Sequence, residues 1–288
     1  MAIIILDRLL GMLFAYMGEH AKGGYIGHHY YAANNVDDDI LVFGSSRAVH
    51  HYNPRIISDS LELSCYNCGQ DGNGIVFFYG LWQMIKPRHI PKMIIYDVTP
   101  YYDIYEGDSN QRYLGWLRTD YDRPGVKDIF LAVDSKEQYK MMSMLYRYNS
   151  KFLQVITDYI HPIFGFDGNG FLPLEGEVDR MKVRDEENEI KIVEPPVDAL
   201  KIGYINKLID EVQSEGVSLV FVVSPSWYEP DLEEYIPIME ICNQRNIKFI
   251  DFSNNEKYVH QYEWFKDGAH LNARGADEFT KDLISLIQ

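Results

Sequence analysis

The sequence is short of positive charge. Its 288 residues include 27 Lys and Arg against 43 Asp and Glu, which gives a formal net charge of −16 and a pI near 4.9. Proteins that bind nucleic acid or anionic lipid do so through clustered cationic side chains. The charge balance therefore argues against nucleic acid and against an anionic membrane surface as partners.

Cysteine is scarce as well. Cys65, Cys68 and Cys242 are too few for a disulfide scaffold. Cys65 and Cys68 form a C-x-x-C at the end of an apolar run rather than at the start of a helix, which favours two small core thiols over a redox pair. No further soft ligands stand at metal-site spacing, so we expect neither a zinc site nor another metal.

A long apolar run is also missing. Residues 2–17 are apolar except for Asp7 and Arg8, which is shorter than the ~20 residues of a spanning helix. The segment lacks the basic start and the small-residue cleavage site of a signal peptide. Two interpretations remain: an amphipathic helix packed on the domain, which the length favours, or the end of a membrane anchor.

Apolar runs separated by helical patterns make up most of the remaining chain. Runs typical of buried strands occupy residues 40–43, 63–66, 93–98, 217–223 and 247–252, and helical patterns occupy 75–85, 197–213, 232–244 and 273–287. Strands that are apolar throughout and alternate with helices indicate a parallel sheet covered on both faces. We predict a three-layer α/β/α sandwich with about five strands.

A large insertion follows the third predicted strand. Residues 101–196 are too many for an ordinary connection, and they contain nine of the 22 tyrosines, between Tyr101 and Tyr159. We predict a helix over 136–146 and an exposed charged excursion over 175–195. The predicted organisation is an apolar helix and lead-in over 1–37, then one α/β domain over 38–288 in which 101–196 forms a tyrosine-rich insertion or cap.

A glycine and two serines follow the first predicted strand. Ligands bind beyond the carboxyl ends of parallel strands, and Gly44-Ser45-Ser46-Arg47 lies at that edge. A serine at the start of a helix can present its hydroxyl where free backbone N–H groups favour an oxyanion. Such turns also bind phosphates or have no site role.

An aspartate and a histidine precede the last predicted helix. Their separation in Asp267-Gly268-Ala269-His270 lets the carboxylate orient the imidazole, which can then take a proton from a serine. The structural alternative is that Asp267 caps the final helix and His270 lies on its surface.

The order of these elements resembles the SGNH (GDSL-type) hydrolase superfamily, over about residues 38–100 and 197–288. The resemblance implies a flavodoxin-like sheet, Ser46 as nucleophile in place of the serine of Gly-Asp-Ser, and Asp267 and His270 as its partners. In the turn 67–72 after the second strand, Gly72 matches the family's oxyanion glycine, with Gly69 as the other candidate. The backbone N–H groups of Ser46 and Gly72 would then form the oxyanion hole.

One sequence motif of the family is different in this chain. The family has a Gly-x-Asn-Asp turn after the third strand, whereas this chain has Asp97-Val98-Thr99-Pro100 and no asparagine. Thr99, a tyrosine hydroxyl or a group of the inserted segment could replace it, and Asp97 is either a buried anchor or a site residue. Near the nucleophile, Arg47 could bind a substrate anion or pair with an acid, and His50 and His51 could line the site or pack.

The resemblance implies a serine esterase that needs no cofactor and acts on a small-molecule or polysaccharide ester. Tyrosine faces stack on sugar rings, so the substrate we expect is an acylated carbohydrate. The alternatives are a non-catalytic glycan-binding or assembly protein of this fold, and a thioesterase or lipid esterase. A looser similarity to envelope-associated O-acetylation factors favours a cell-envelope or periplasmic location over a cytoplasmic one.

Overall fold

A computed structural model describes residues 1–107, 109–179, 195–228 and 232–287. The strands are β1 (Ile40–Gly44), β2 (Cys65–Asn67), β3 (Met93–Asp97), β4 (Ser218–Val223) and β5 (Lys248–Asp251). The α-helices are α1 (Ala2–Glu19), α2 (Gly24–Asn34), α3 (Ser46–His51), α4 (Pro54–Leu61), α5 (Ile75–Ile85), α6 (Pro100–Asp103), α7 (Val126–Val133), α8 (Glu137–Lys140), α9 (Phe152–Ile160), α10 (Ala199–Ser214), α11 (Ile236–Arg245) and α12 (Ala273–Ile287). Short 3₁₀ turns cover Asn110–Leu114, Arg118–Asp120, Tyr146–Tyr148, Leu232–Tyr235 and Tyr262–Trp264.

The five strands form one parallel sheet in the order β2-β1-β3-β4-β5. This is the doubly wound order of flavodoxin-like folds, in which the chain reverses direction across the sheet between β1 and β3. The structure confirms the predicted α/β class and the five parallel strands flanked by helices. All five strands lie where the apolar runs predict them, within one or two residues.

Helices cover the sheet because its inner strands β1, β3 and β4 are buried and almost entirely apolar. Ile40, Val42, Ile95, Val220 and Val222 point to one side and share a buried core with Phe279 and Leu283 of α12. The helix α12 also packs against α3 and α4, and α10 packs against β4. Helix α12 therefore holds the end of the chain against the same core as the first strand.

The chain folds into two units, each assembled from separate segments of the sequence. One contains the sheet and comprises Asp38–Ile75, Pro91–Gly107 and Asp167–Gln288; the other is helical and comprises Met1–Asp37, Val76–Ile90 and Asp108–Phe166. Residues 101–196, predicted as one insertion, are therefore shared between the two units. In the sheet unit, Phe171 and Val178 join the core beside the strands.

In the helical unit, α1 packs against α2 and α9. Phe14 of α1 contacts the rings of Tyr148 and Phe152, while Ile5, Leu9 and other apolar side chains on α1 stay exposed. In the part of the chain that the structure describes, no helix has both the length and the apolar character needed to cross a membrane.

The helix predicted over 136–146 is wrong for most of its length. Only α8, Glu137–Lys140, is helical, and turns follow it. The carboxylate of Asp7 accepts hydrogen bonds from the Ser143 hydroxyl and from the amides of Met144 and Leu145. Because these amides bond to Asp7, they are not available to carbonyls one helical turn earlier. Most of the excursion predicted over 175–195 lies outside the described residues.

Candidate active site

Ser46 and His270 meet at the carboxyl edge of the sheet although they are 224 positions apart in the chain. The Ser46 hydroxyl lies 2.7 Å from His270 Nε2. Ser46 is the first residue of α3, which begins two residues beyond β1, and the edge between β1 and β3 is where a doubly wound sheet binds its ligands. The pair therefore stands at the topological switch point.

The turn from β1 into α3 depends on Gly44. This residue has a φ of 137°, in a region that side chains rarely adopt. A Cβ atom at Gly44 would lie 2.7 Å from the Asp97 carbonyl oxygen. Glycine at this position therefore lets β1 pass close to β3 before the chain turns to present Ser46.

Asp267 orients the imidazole of His270. Its two carboxylate oxygens lie 2.9 and 3.0 Å from His270 Nδ1. The same carboxylate accepts from the amides of Ala269 and His270 at 2.9 Å, which closes a tight turn around it. With the Nδ1 proton held by Asp267, Nε2 presents its lone pair to the serine.

The structural alternative for Asp267 does not apply. Asn272 caps α12 instead, since its side-chain oxygen accepts from the Gly275 amide at 2.9 Å. Burial opposes ionisation of Asp267, but the hydrogen bonds from His270 and from the two backbone amides outweigh it and lower the pKa of this carboxyl. Asp267 is therefore a carboxylate throughout the neutral range.

Two backbone amides are candidates for an oxyanion hole. The Ser46 amide opens α3, where no carbonyl of the helix can accept from it. Gly72 has a φ of 64°, and its amide makes no hydrogen bond within the described part of the chain. The Gly69 amide, by contrast, donates to Asn67 Oδ1 at 2.9 Å. This difference favours Gly72 over Gly69.

Arg47 is paired with an acid. Its Nε lies 3.4 Å from Asp97 Oδ1, and its other nitrogens donate to the carbonyls of Val98 and Ser224. The Arg47 side chain is 11% exposed and that of Asp97 is fully buried. Of the two interpretations of Arg47, the structure therefore supports the one in which this arginine pairs with an acid.

Asp97 and Thr99 belong to the same buried network. Tyr52 donates to Asp97 Oδ2 at 2.6 Å, and Thr99 Oγ1 lies 3.5 Å from a terminal nitrogen of Arg47. Burial raises the pKa of Asp97, while Arg47 and the hydroxyls of Ser224 and Tyr52 partly offset this effect. Asp97 is therefore an anchor under the turn that follows β1.

His50 lies beside the proposed base. Its ring is 5.5 Å from that of His270 and perpendicular to it. Nδ1 of His50 donates to the Leu172 carbonyl at 2.6 Å, and Nε2 lies 3.8 Å from Asp71 Oδ1. Burial lowers the pKa of His50, so a neutral imidazole adjoins the Ser46–His270 pair.

His51 is the residue whose place sequence reasoning leaves open. The Leu271 amide donates to His51 Nε2 at 3.0 Å, so the proton is on Nδ1, which donates to Ser224 Oγ at 2.9 Å. Burial lowers the pKa of His51 well below its usual range. A neutral, fully buried imidazole thus links the residue after His270 to the end of β4.

Two features of the sequence indicate the hydrogen bonds that His51 makes to Ser224 and to the Leu271 amide. One is the His50-His51 doublet, which lies on the same short helix as Ser46. The other is the position of Ser224, directly after β4, at the same edge of the sheet as Ser46. Polar residues that directly follow a parallel strand are therefore candidates for the site even where they belong to no motif.

The three cysteines are core residues. Cys65, Cys68 and Cys242 are free and buried, and burial raises the pKa of the Cys65 thiol well above its usual range. A thiol with a raised pKa is a poor nucleophile at neutral pH. This agrees with two small core thiols rather than a redox pair at Cys65 and Cys68.

No protein-family model matches the sequence, and no curated protein is significantly similar to it.

Proposed function

We propose that this protein is a serine esterase of SGNH type. The observation that carries the proposal is the hydrogen-bonded series Ser46–His270–Asp267, with 2.7 Å between hydroxyl and imidazole and 2.9 Å between imidazole and carboxylate. A serine is a weak nucleophile until an adjacent base takes its proton, and a histidine held by a carboxylate is such a base.

The reaction proceeds in two acyl transfers. His270 removes the Ser46 proton as the oxygen attacks the ester carbonyl, and it then protonates the leaving alcohol. Water, activated by the same imidazole, releases the acid from the acyl-enzyme. The amides of Ser46 and Gly72 are the donors proposed for the negative charge that develops on each tetrahedral intermediate.

The proposed substrate is an acylated carbohydrate, with acetyl as the first acyl group to test. The tyrosine-rich segment between Tyr101 and Tyr159 motivates this choice. Some of these tyrosines serve packing, because Tyr113, Tyr121 and Tyr148 are buried. In the sheet unit, which carries Ser46 and His270, Tyr101 is 43% exposed and is available to a sugar ring.

The first experiment measures acetate release from p-nitrophenyl acetate and acetylated xylan. Ser46→Ala and His270→Ala should lose nearly all turnover. The matched control is Ser45→Ala: this neighbouring hydroxyl is buried and makes no hydrogen bond within the described residues, so its removal should leave the rate within about threefold. Full activity in Ser46→Ala would refute the nucleophile assignment.

A non-catalytic, glycan-binding protein is the second candidate. Thr99 stands where the resembling family has its oxyanion asparagine, and losing one such donor costs on the order of 10²–10³ in rate. A fluorophosphonate probe separates the two candidates. Labelling of Ser46 that disappears in His270→Ala supports the esterase, whereas no labelling of the wild-type chain favours the binding protein.

A further inference from the structure

A cavity lies within the helical unit. It has a volume of about 220 Å³ and is bordered by α1, α2, α9 and the turns between Trp116 and Arg123. Its wall is largely apolar, with Ile26, Trp116 and Val155 among the lining residues. No residue proposed for catalysis borders it.

Lys151 brings a positive charge to this cavity. Its Nζ lies 3.0 Å from the centre of the Trp116 ring, and among the described residues no carboxylate pairs with it. Asp120, one of the two acids at the same wall, already bonds to Arg123 at 2.8 Å. Burial, together with the nearby charge of Arg118, lowers the pKa of Lys151 to about 7. An ammonium without a counterion in a cavity attracts an anion.

His29 supplies an unpaired ring nitrogen on the same wall. Its side chain is 9% exposed, and its Nε2 lies 3.2 Å from Asp120 Oδ2. Because a carboxylate can only accept, Nε2 is the donor in this bond. Nδ1 is buried and has no hydrogen-bond partner in the described part of the chain. A buried polar atom of this kind needs a hydrogen-bond partner.

The other ionisable groups at the cavity are either already paired or uncharged at neutral pH. They are Glu19 and Tyr30, which hydrogen-bond to each other, Arg123, which bonds to Asp120, and Tyr148, whose pKa burial raises to about 12. None of them neutralises Lys151. The wall thus offers one cationic donor and one unpaired ring nitrogen, both near the Trp116 ring, since the His29 ring lies 5.5 Å from it.

We propose that this cavity is a binding site for a small hydroxy acid of about monosaccharide size. Its carboxylate pairs with the Lys151 ammonium, and a hydroxyl group, which can either donate or accept, hydrogen-bonds to His29 Nδ1. The apolar wall around Trp116 covers the carbon skeleton. A neutral sugar has a hydroxyl for His29 but no carboxylate for Lys151, and a simple fatty acid has the carboxylate but no hydroxyl. The two side chains therefore select ligands that carry both groups.

The test is isothermal titration calorimetry of the full chain with D-glucuronate, with D-glucose as the neutral probe of the same size. We expect glucuronate to bind and glucose to bind at least tenfold more weakly. Lys151→Met should lower the affinity for glucuronate at least tenfold. His29→Leu removes both ring nitrogens while Arg123 still pairs with Asp120, and it should lower the affinity by a smaller factor.

The wild-type chain provides a test that needs no variant. The ligand binds the protonated amine, so above pH 7 the affinity should fall by about tenfold per pH unit.

Ser46→Ala should bind glucuronate as the wild type does, which separates this site from the proposed esterase site. Absence of heat with glucuronate, equal affinity for glucose, unchanged affinity in Lys151→Met, or a pH-independent affinity would each overturn the proposal.

Discussion

The amide of Leu271 donates a hydrogen bond to His51 Nε2 across 3.0 Å, one residue beyond the proposed base His270. This bond ties the loop that carries His270 to α3, the helix that begins with Ser46. His51 is fully buried and neutral, and Ser224 fixes its tautomer from the other side. It is thus a positioning residue, which acts by holding His270 within hydrogen-bond distance of Ser46.

His51→Leu should lower kcat of ester hydrolysis at least tenfold and leave KM nearly unchanged. The substitution removes the acceptor of the Leu271 amide, and a buried unpaired donor costs about 1–3 kcal/mol. The loop then relaxes and the contact between His270 and Ser46 lengthens. Steady-state kinetics and the rate of fluorophosphonate labelling at Ser46 measure the effect.

The matched control is His51→Gln, whose side-chain oxygen can accept from the Leu271 amide in place of Nε2. It should recover much of the labelling rate. If leucine and glutamine gave the same rate as histidine, the bond would have no positioning role.

Asp267→Asn should reduce kcat by about 10²–10⁴, because the amide no longer holds the Nδ1 proton of His270 and the imidazole can present the wrong tautomer to Ser46. Asp267 is 48% exposed, so water replaces part of its effect and the loss should be smaller than at a buried triad. The measurement is kcat on p-nitrophenyl acetate, with circular dichroism to confirm the fold. A rate within twofold of the wild type would show that Asp267 does not orient the base.

Gly44→Ala should destabilise the protein by about 2–5 kcal/mol, since the new methyl group meets the backbone of Asp97 and the φ of 137° is strained for alanine. Gly203→Ala is the control. Gly203 lies within α10, and a Cβ atom there has nothing within 4 Å. That variant should gain about 0.5–1 kcal/mol from helix propensity. Urea denaturation of both variants checks the difference, and equal stability would contradict it.

Asp103 makes the stability depend on pH. Burial raises the pKa of Asp103 to about 6, despite hydrogen bonds from Tyr96 and from the amides of Thr99 and Ile75. The unfolded carboxyl titrates near 3.9. The folded state therefore binds the proton first, and as the pH falls from 7 to 4 this group adds about 2 kcal/mol to the free energy of unfolding.

Asp103→Asn should remove that dependence, so the wild type should gain about 2 kcal/mol of stability relative to the variant as the pH falls from 7 to 4. Asp59→Asn, a substitution at an exposed position, is the control and should leave the pH profile unchanged. Urea denaturation across this pH range makes the comparison. Parallel profiles for the wild type and Asp103→Asn would refute the assignment.

The strands are predictable because the pattern that identifies them is local. Strands buried on both faces read as nearly continuous apolar runs, and Leu219 to Val223 shows this from the sequence alone. The helix α12 is predictable for a similar reason, since its apolar positions repeat with the helical period. The prediction of a helix over 136–146 is wrong because Asp7, more than a hundred residues away, captures its amides.

The residues of the candidate site are identifiable from the sequence, whereas their arrangement is not. The order and spacing of Ser46, Asp267 and His270 single out these residues. Only the tertiary structure decides that Ser46 and His270 touch, that Asn272 rather than Asp267 caps the last helix, and that Arg47 turns toward Asp97. The physical reason is the separation along the chain between the residues that interact. A strand, a turn or a helix end depends on neighbours along the chain, while the partner of a buried charge or imidazole depends on which distant segments the sheet brings to one edge.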